Sequence, residues 1–345
     1  MVTKVFQLLL LLSPIVIGAN IDMDVFDLIF FRTGVIILFG ASLLDVQRRQ
    51  MPVWVNKIIL SLLGLSLANI FLFTFAPQVL ATTMNLFLGV IGFYILYNYL
   101  DEKADFKKYI ITAAMINLAF LIFQRIGFDP IFDHIPEQTK SMAGAFFGNK
   151  ARLANYFALI MPFAPIVLIP AGLVVFLSTG QFVLLIPITL LILIRLKTVK
   201  SKSIFLAVLL AVSILLRKHI LTSIHTRLDI WYPALQAYFD QPLIGYGLGT
   251  KVLGLDAYFN SYLSFILGVG IMGLVWFGYV FREIKKHIEF NQKLLPLLIL
   301  GLLMLVEYPI EVPRDWYIIL FILVMSLLKG KTCPINVKCN NSCKE

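Results

Sequence analysis

The stretch VLATTMNLFLGVIGFYILYNYLDEKADFKK (79–108) decides the fold class, because it joins a long apolar run to a short charged cluster. The run 79–99 contains no charged side chain. An α-helix of about 20 apolar residues is long enough to cross a bilayer. The cluster that follows contains Lys103, Lys107 and Lys108, which the positive-inside rule assigns to the cytoplasm. The stretch therefore predicts a membrane-spanning helix that ends on the cytoplasmic side.

The composition of the whole chain agrees with the prediction of membrane-spanning helices. Of the 345 residues, 60% are hydrophobic and 14% are charged, and the mean hydropathy is +0.90. Soluble domains are about 25% charged, so we predict an all-α, polytopic helical membrane protein. The net charge of +10 does not favour nucleic-acid binding. Lys and Arg lie mostly in short clusters between apolar runs, where they face lipid headgroups.

The same rule, applied along the chain, predicts about twelve membrane-spanning helices with both termini in the cytoplasm. The clusters assigned to the cytoplasm are Arg48/Arg49, Lys103/Lys107/Lys108, Lys197/Lys200/Lys202, Arg282/Lys285/Lys286 and Lys329/Lys331. The predicted spans lie near 5–19, 25–44, 53–74, 79–99, 109–124, 153–165, 166–177, 181–195, 203–217, 259–281, 294–310 and 315–328. We expect an uncleaved first span rather than a signal peptide, because the alternation needs it. Two large loops, 125–152 and 218–258, then face the outer side.

The interval 153–195 is the least regular part of this layout. It begins outside and must end inside, so it needs an odd number of crossings, and it is too long for one. Three short spans satisfy both conditions, although each is below the usual spanning length. We therefore expect at least one to be re-entrant, or the bilayer to be thinned there.

The chain is predicted to be a single membrane domain with four parts. These are the N-terminal spans 1–124, a core 125–281, the C-terminal spans 282–330 and a cytoplasmic tail 331–345. All the cysteines, Cys333, Cys339 and Cys343, lie in the tail. A zinc site needs four ligands in paired short spacings, so we predict unpaired thiols, no metal site and no cofactor.

The first outer loop ends in GNKARLANY (148–156), which places Lys150 and Arg152 at the N-terminal mouth of a membrane helix. The free N–H groups and the dipole of such a helix add to a site that favours anions. Anchoring to lipid headgroups is an equally weighted alternative for these two side chains.

The second outer loop contains an amphipathic pattern that predicts a helix lying on the membrane interface. Thr226-x-x-Asp229 has the spacing of a capping box at a helix start. Pro233 falls inside this helix, so a kink or a break is expected there. The apolar residues that recur on one face are Leu228, Trp231, Tyr232, Leu235, Tyr238 and Phe239. We expect this face to lie at headgroup depth.

The helix is followed by PLIGYGLG (242–249), which carries Gly245, Gly247 and Gly249. Glycines at this spacing permit a tight turn and let backbone N–H groups approach a ligand, although a plain turn would need no ligand. The second outer loop as a whole is also basic, although the positive-inside rule favours few basic residues on the outer side. Its basic residues are Arg217, Lys218, His219, His225, Arg227 and Lys251. This excess predicts an anionic lipid-linked ligand, such as a polyprenyl diphosphate, held by Arg and Lys.

At these residues the chain resembles the O-antigen ligase and O-antigen polymerase superfamily of bacterial membrane glycosyltransferases. The elements that carry the resemblance are QRIGFDPIF and GAFFGNKARLANYFALIMP (within 124–162), RLDIWYPALQAYFDQPLIGYGLG (227–249) and FNSYLSFILGVGIMGLVWF (259–277). Their order and spacing are similar to those of the family, as is a twelve-span layout.

The resemblance implies a GT-C-type membrane fold in the bacterial inner (cytoplasmic) membrane, with its site in periplasmic loops. It implies transfer of a glycan from undecaprenyl diphosphate to an acceptor glycan or lipid, for surface polysaccharide assembly, without a nucleotide sugar or an obligatory metal. The arginines that hold the diphosphate in the family correspond to Arg227 and, less securely, to Arg152. Lys150, Trp231, Gly245, Gly247 and Asn260 complete the expected substrate-binding set.

Two positions depart from the family pattern. Phe259 precedes Asn260 where a histidine is usual, and Ser178-Thr179-Gly180 stands where Ser-Arg-Gly is usual. The role of the histidine must then pass to another group. The substitutes in the sequence are His225, Asp229, Asp256 and Glu307, and we favour Glu307 because an acid inside an apolar run is costly and marks a functional site. A packing pair of Glu307 with Arg314 or Arg32 is the competing interpretation.

Two other functions remain in competition with glycan transfer. A catalytically degenerate relative would hold lipid-linked glycan without transferring it, which the missing histidine favours. A polysaccharide transporter or flippase would need ionisable residues along several spans. Few are found, and the main cases are Arg32, Lys57 and Glu307, so this function is less favoured. The sequence leaves open polymerase against ligase, the sugar and the acceptor.

Overall fold

The computed structural model describes most of the chain. The described residues are 1–15, 23–45, 49–73, 76–128, 145–147, 150–196, 198–215, 217–250, 252, 260–288, 294–306 and 316–329. Within them every regular element is a helix and no strand is present. The predicted all-α class is confirmed.

This part of the chain contains fourteen α-helices and three short 3₁₀ segments. The α-helices are α1 (Val2–Leu12), α2 (Met23–Leu43), α3 (Val53–Leu72), α4 (Pro77–Tyr99), α5 (Lys107–Arg125), α6 (Lys150–Ile160), α7 (Pro165–Thr179), α8 (Leu185–Arg195), α9 (Val199–Leu215), α10 (Arg217–Asp240), α11 (Ser261–Val269), α12 (Ile271–His287), α13 (Leu295–Val306) and α14 (Trp316–Lys329). The 3₁₀ segments are Ala145–Phe147, Met161–Phe163 and Phe182–Leu184.

Three of the helices, α3, α4 and α5, are long and apolar enough to cross a membrane. They coincide with the predicted spans 53–74, 79–99 and 109–124. The shorter apolar helices include α1, α7, α13 and α14. These elements support a helical membrane protein, whereas the number of spans stays a prediction.

Local sequence explains where α4 and α5 begin. Pro77 occupies the first turn of α4, where its missing N–H costs nothing. After α4, Asp101 Oδ1 accepts a hydrogen bond from Lys103 N at 3.0 Å, and Asp105 Oδ1 accepts one from Lys107 N at 3.1 Å. These carboxylates satisfy N–H groups in the turn and at the start of α5.

Glycines let α14 pack closely against α2 and α4. A Cβ at Gly34 would overlap the Tyr317 hydroxyl, and one at Gly89 would overlap the Trp316 ring. Tyr317 is fully buried and donates its hydroxyl hydrogen towards two α2 carbonyls, those of Phe30 at 3.1 Å and Phe31 at 3.0 Å. Small residues of this kind are the usual contact points between membrane helices.

The interval 153–195 forms three short helical pieces, as predicted. They are α6 with its 3₁₀ extension, then α7, then the third 3₁₀ segment with α8, and the left-handed Gly180 (φ 71°) ends α7. In α6 every side chain from Leu153 to Ile160 is buried. Helix α6 is therefore an internal helix, packed against α7, α8, α13 and α14.

The predicted single span 259–281 is wrong, because this stretch folds into a helical hairpin. Helix α11 ends at Gly270 (φ 66°), and α12 runs back alongside it. The rings of Phe265 and Trp276 lie 5.4 Å apart, and those of Tyr262 and Phe277 lie 5.0 Å apart. In one continuous helix residues 265 and 276 would be about 16 Å apart.

Helix α12 is the arm of the hairpin that runs the length of α3. Trp276 Nε1 donates to Ser61 Oγ at 3.0 Å, and the rings of His287 and Trp54 stack at 5.1 Å. Helix α11 is about 14 Å long, so its first residue, Ser261, lies about that distance from the Gly270 turn, and Ser261 is buried.

The helix start predicted at Thr226 is also wrong. Helix α10 begins at Arg217 and continues through Pro233 without a break. Thr226 Oγ1 donates to Thr222 O at 2.9 Å, and Thr222 Oγ1 donates to Lys218 O at 2.9 Å. A threonine can thus satisfy its hydroxyl against the preceding turn, so the capping-box spacing does not mark a helix end here.

Candidate functional site

The structure brings two basic residues together at the facing ends of α5 and α6, Arg125 and Lys150, and Arg152 follows Lys150 by two residues. Arg125 lies in the last turn of α5, and Lys150 and Arg152 lie in the first turn of α6. All three side chains are half-buried. In the predicted topology they belong to the outer loop 125–152 or its edges.

Residues Ala145–Phe147 hold the two helix ends in place. Gln124 Oε1 accepts a buried hydrogen bond from Ala145 N at 2.8 Å. Phe146 stacks on Phe120 of α5 at 4.4 Å, and Phe147 packs against Tyr156 of α6 at 5.2 Å. The position of Lys150 relative to Arg125 is therefore fixed by a buried hydrogen bond and two ring pairs.

The electrostatics of this cluster favour an anion. Burial lowers the pKa of Lys150, and the positive charge of Arg125 lowers it further. An anion placed between the two side chains would offset both effects, because it replaces lost solvation and screens like-charge repulsion. Arg and Lys in combination are the usual ligands of phosphate groups in proteins.

Sequence reasoning did not single out Arg125. The residue was visible in the QRIGFDPIF element, but a basic residue at the end of a helix is readily explained by the helix dipole. Only the fold shows that Arg125 lies beside Lys150. The structure thus pairs Lys150 with Arg125, whereas Arg152 lies about 200° further round α6 from Lys150, and its role stays a prediction.

Helix α10 presents three different faces. Its buried face, which includes Ala234 and Ala237, packs against Leu263 and Leu267 of α11. A second face is polar and includes the exposed residues His225 and Asp229. A third face forms an exposed apolar stripe of Leu221, Ile224, Leu228, Tyr232, Leu235 and Phe239. A helix with this division is suited to lie on a membrane interface.

The predicted residues of α10 are not all on one side. Arg227 is half-buried, and Trp231, one turn later, packs against the cluster around Ala234. His225 is exposed on the polar face, and two residues in a helix differ by about 200° in direction. The structure therefore places Arg227 and Trp231 together and does not bring His225 to them.

The segment PLIGYGLG (242–249), here named the glycine loop, joins α3, α10 and α11. Backbone N–H groups of this loop donate to protein acceptors: Gly245 to Gln241 O at 3.1 Å, Tyr246 to Leu267 O at 2.8 Å and Gly247 to Gly268 O at 2.9 Å. Leu248 N donates to Asn69 Oδ1 at 2.8 Å, and Asn69 Nδ2 donates to Gly268 O at 3.2 Å.

Glycine is required where this loop meets α11. Gly245 has a φ of 69°, and a Cβ there would overlap the carbonyl oxygen of Leu267. The N–H groups of Gly245 and Gly247 are occupied by protein acceptors, so the expected ligand contact through these groups is not available in this conformation. The glycines serve close packing of backbone on backbone.

Asn260 caps α11. Its Oδ1 accepts a hydrogen bond from Leu263 N at 2.9 Å, so Nδ2 is the part of the side chain that a ligand could use. Tyr262, two residues on, donates its hydroxyl hydrogen to Gly301 O at 3.2 Å, which links α11 to α13. The capping role explains an asparagine at this position without a ligand.

Two predicted catalytic residues, Asp256 and Glu307, lie outside the described residues, as does Phe259. Their roles stay predictions. Glu307 follows α13 directly in sequence, the helix that Tyr262 contacts. Among the described residues, no group of three His, Cys, Asp or Glu could hold a metal ion.

Comparison with models of known protein families gives no match. Comparison with curated proteins gives no significant match. Any functional assignment therefore depends on the sequence elements and on the geometry of the basic cluster and helix α10.

Proposed function

We propose that this chain is a membrane glycosyltransferase of the O-antigen ligase or polymerase type. It transfers or polymerises a glycan carried on undecaprenyl diphosphate at the periplasmic side of the bacterial inner membrane. The proposal includes a GT-C-type fold with about twelve spans. The partners are the lipid-linked donor, an acceptor glycan or lipid, and the surrounding membrane lipids.

The basic cluster formed by Arg125 and Lys150 is the observation that carries this proposal. It holds two half-buried cations close enough to repel each other, and a diphosphate is an anion of suitable charge to relieve that repulsion. Arg227 with Trp231 supplies a further cation beside an aromatic ring, a pairing suited to a glycan linked to phosphate.

The chemistry needs charge stabilisation more than any other contribution. The acceptor hydroxyl oxygen attacks the anomeric carbon of the donor sugar, and the bond from that carbon to the diphosphate oxygen breaks. The diphosphate leaves with the electron pair, and cations that hold it lower the barrier. The hydroxyl proton passes to a base, for which Glu307 is our first choice and Asp256 the second.

A base contributes about 10²–10⁴-fold to such a reaction, so the absent histidine bears on activity. Phe259 cannot accept a proton. His225 is a poor substitute, because it lies on the exposed polar face of α10, away from Arg227. A degenerate protein that binds lipid-linked glycan is therefore the second candidate, and the Phe259 substitution is the observation that favours it.

Deletion of the gene, followed by electrophoresis of the surface polysaccharide, tests the proposal. A polymerase mutant yields single-repeat product, and a ligase mutant leaves full-length chains on the lipid carrier. Unchanged polysaccharide would contradict both. Complementation with Glu307→Gln separates the two candidates, because a binding protein keeps its effect without the carboxylate, whereas a transferase that uses Glu307 loses it.

A further inference from the structure

A cleft of about 470 Å³ opens at the end of α3 and α4 that lies away from their connecting turn. It is lined by Arg49, Gln50, Met51, Asn56, Tyr94 and Asn98. Pockets that bind small ligands have volumes of about 300–1,000 Å³. The described residues of the lining supply a guanidinium, amide groups and a phenol but no carboxylate, so the cleft is suited to an anionic ligand.

Arg49 is held in place by the C-terminal end of α4. Its backbone N–H donates to Asn98 O at 3.3 Å, and its Nη1 donates to Leu100 O at 2.8 Å. No other hydrogen bond of Arg49 is formed within the described part of the chain. The carbonyl contact fixes the guanidinium through one nitrogen, and Nε and Nη2 remain as donors for two oxygens of a phosphate group.

An exposed apolar surface continues from the cleft along both helices. Leu60 follows Asn56 by one turn and is 67% exposed, and Ile91 precedes Tyr94 by one turn and is 41% exposed. Helices α3 and α4 are antiparallel neighbours, so both side chains lie farther into the bundle's membrane-spanning length than the cleft does. A ligand with a charged head and apolar chains matches this arrangement.

The charge around the cleft identifies the leaflet. Arg48 and Arg49 precede α3, and Lys103 follows α4, which the positive-inside rule assigns to the cytoplasm. Anionic lipids give the cytoplasmic leaflet a negative surface potential, and basic pockets between helices on this side bind phosphate headgroups.

We propose that this cleft binds the headgroup of an anionic glycerophospholipid of the adjacent leaflet. Arg49 contacts the phosphate oxygens, and the amides of Gln50 and Asn56 contact the headgroup hydroxyls or ester oxygens. The acyl chains run along Leu60 and Ile91. The site lies at the opposite end of α3 and α4 from the glycine loop, and it does not depend on the proposed transferase activity.

Native mass spectrometry of the full-length protein in detergent tests the proposal, with phosphatidylglycerol, phosphatidylcholine and diacylglycerol as probes. The wild type should retain phosphatidylglycerol most and diacylglycerol least. Arg49→Gln should lower retention of phosphatidylglycerol about tenfold, because it removes a charge-assisted hydrogen bond. Equal retention of all three probes by the wild type would overturn the proposal, as would unchanged retention by Arg49→Gln.

Lys57→Gln is the matched control, because Lys57 is an exposed cation on α3 next to Asn56 that does not line the cleft. It should leave retention within about twofold of wild type; an equal loss would mean general charge attraction. Arg49→Lys keeps the charge and should give intermediate retention even if Arg49→Gln does not fold. Displacement of the lipid by equimolar inorganic phosphate would assign the cleft to free anions instead.

Discussion

At the scale of single residues, Arg227 is the most informative side chain of α10. It is half-buried one turn before Trp231, and a planar guanidinium can hold two diphosphate oxygens at once. We predict that Arg227→Lys reduces the length of the surface polysaccharide and slows transfer about tenfold or more, because an ammonium group cannot reproduce this geometry. Lys218→Arg, on an exposed position of the same helix, is the control. Polysaccharide of wild-type length from Arg227→Lys would indicate that Arg227 only contacts lipid headgroups and does not hold the diphosphate.

Lys150 makes the anion affinity of the basic cluster dependent on pH. Its pKa is lowered by burial and by Arg125, so the charge is lost at a lower pH than in an ordinary lysine. We predict that sulfate, an anion that does not itself titrate in this range, binds more weakly as the pH rises through this lowered pKa towards 10.5. A bound anion favours the charged form, so binding takes up protons in that interval. Calorimetry in two buffers of different ionisation enthalpy measures this uptake, and Lys150→Arg should abolish it.

At the scale of elements, the glycine at the α11–α12 turn is a structural requirement. Gly270 has a φ of 66°, and a Cβ there would meet the backbone of Leu243 and Ile244. We predict that Gly270→Ala lowers the unfolding free energy by about 1–3 kcal/mol. Gly278 lies within α12 with open space around it, so Gly278→Ala should be neutral or stabilise by about 1 kcal/mol. Thermal unfolding in detergent compares the two variants. Similar melting temperatures would contradict the requirement for glycine at the α11–α12 turn.

The hairpin itself can be tested by cross-linking. The Cα of Ile266 lies 3.4 Å from the position that a Cβ on Gly273 would take, whereas residues seven apart in one helix are about 10 Å apart. A variant with Ile266→Cys and Gly273→Cys, in a background without the tail cysteines, should form a disulfide on mild oxidation. The pair Phe87→Cys and Tyr94→Cys within α4 should not. Absence of the first disulfide would restore a single continuous span.

Sequence patterns identified some of these elements and not others, for physical reasons. Charge alternation and hydropathy report length and sign, so they predicted α3, α4, α5 and the three short helices of 153–195. Hydropathy cannot distinguish an apolar run that is extended from one that is folded in half. The reversal at Gly270 depends on backbone contacts with the loop at Leu243 and on the Asn69 side chain, which are distant in sequence.

The candidate site also contains residues that the sequence identified and residues that it did not. Lys150 and Arg152 were recognisable because they precede an apolar helix. Arg125 was not, since its place beside Lys150 depends on the buried Gln124–Ala145 hydrogen bond and on the Phe120–Phe146 stack. The glycine loop was predicted to contact a ligand because the sequence does not show which acceptors its N–H groups use. These acceptors include Leu267 O and Gly268 O, at the end of a helix that hydropathy alone does not reveal.

At the scale of the whole molecule, the described helices form one continuous packing unit around α4 and α6. Helix α4 contacts α1, α2, α3 and α14, and α6 contacts α7, α8, α13 and α14. The basic cluster lies at one end of α6, and the phospholipid cleft lies at the far end of α4 from the glycine loop. In the predicted topology, the proposed glycan site and the proposed phospholipid site therefore face opposite leaflets.

The most direct test of the account is glycan transfer by the purified full-length protein in liposomes that contain undecaprenyl-diphosphate-linked glycan and an acceptor. We predict release of undecaprenyl diphosphate by the wild type, with a loss on the order of a hundredfold in the double variant Arg125→Gln with Lys150→Gln. Lys107→Gln, at the opposite end of α5, should retain full activity. Release at the wild-type rate by the double variant, or no release by the wild type with either a glycan or a lipid acceptor, would contradict the proposed function.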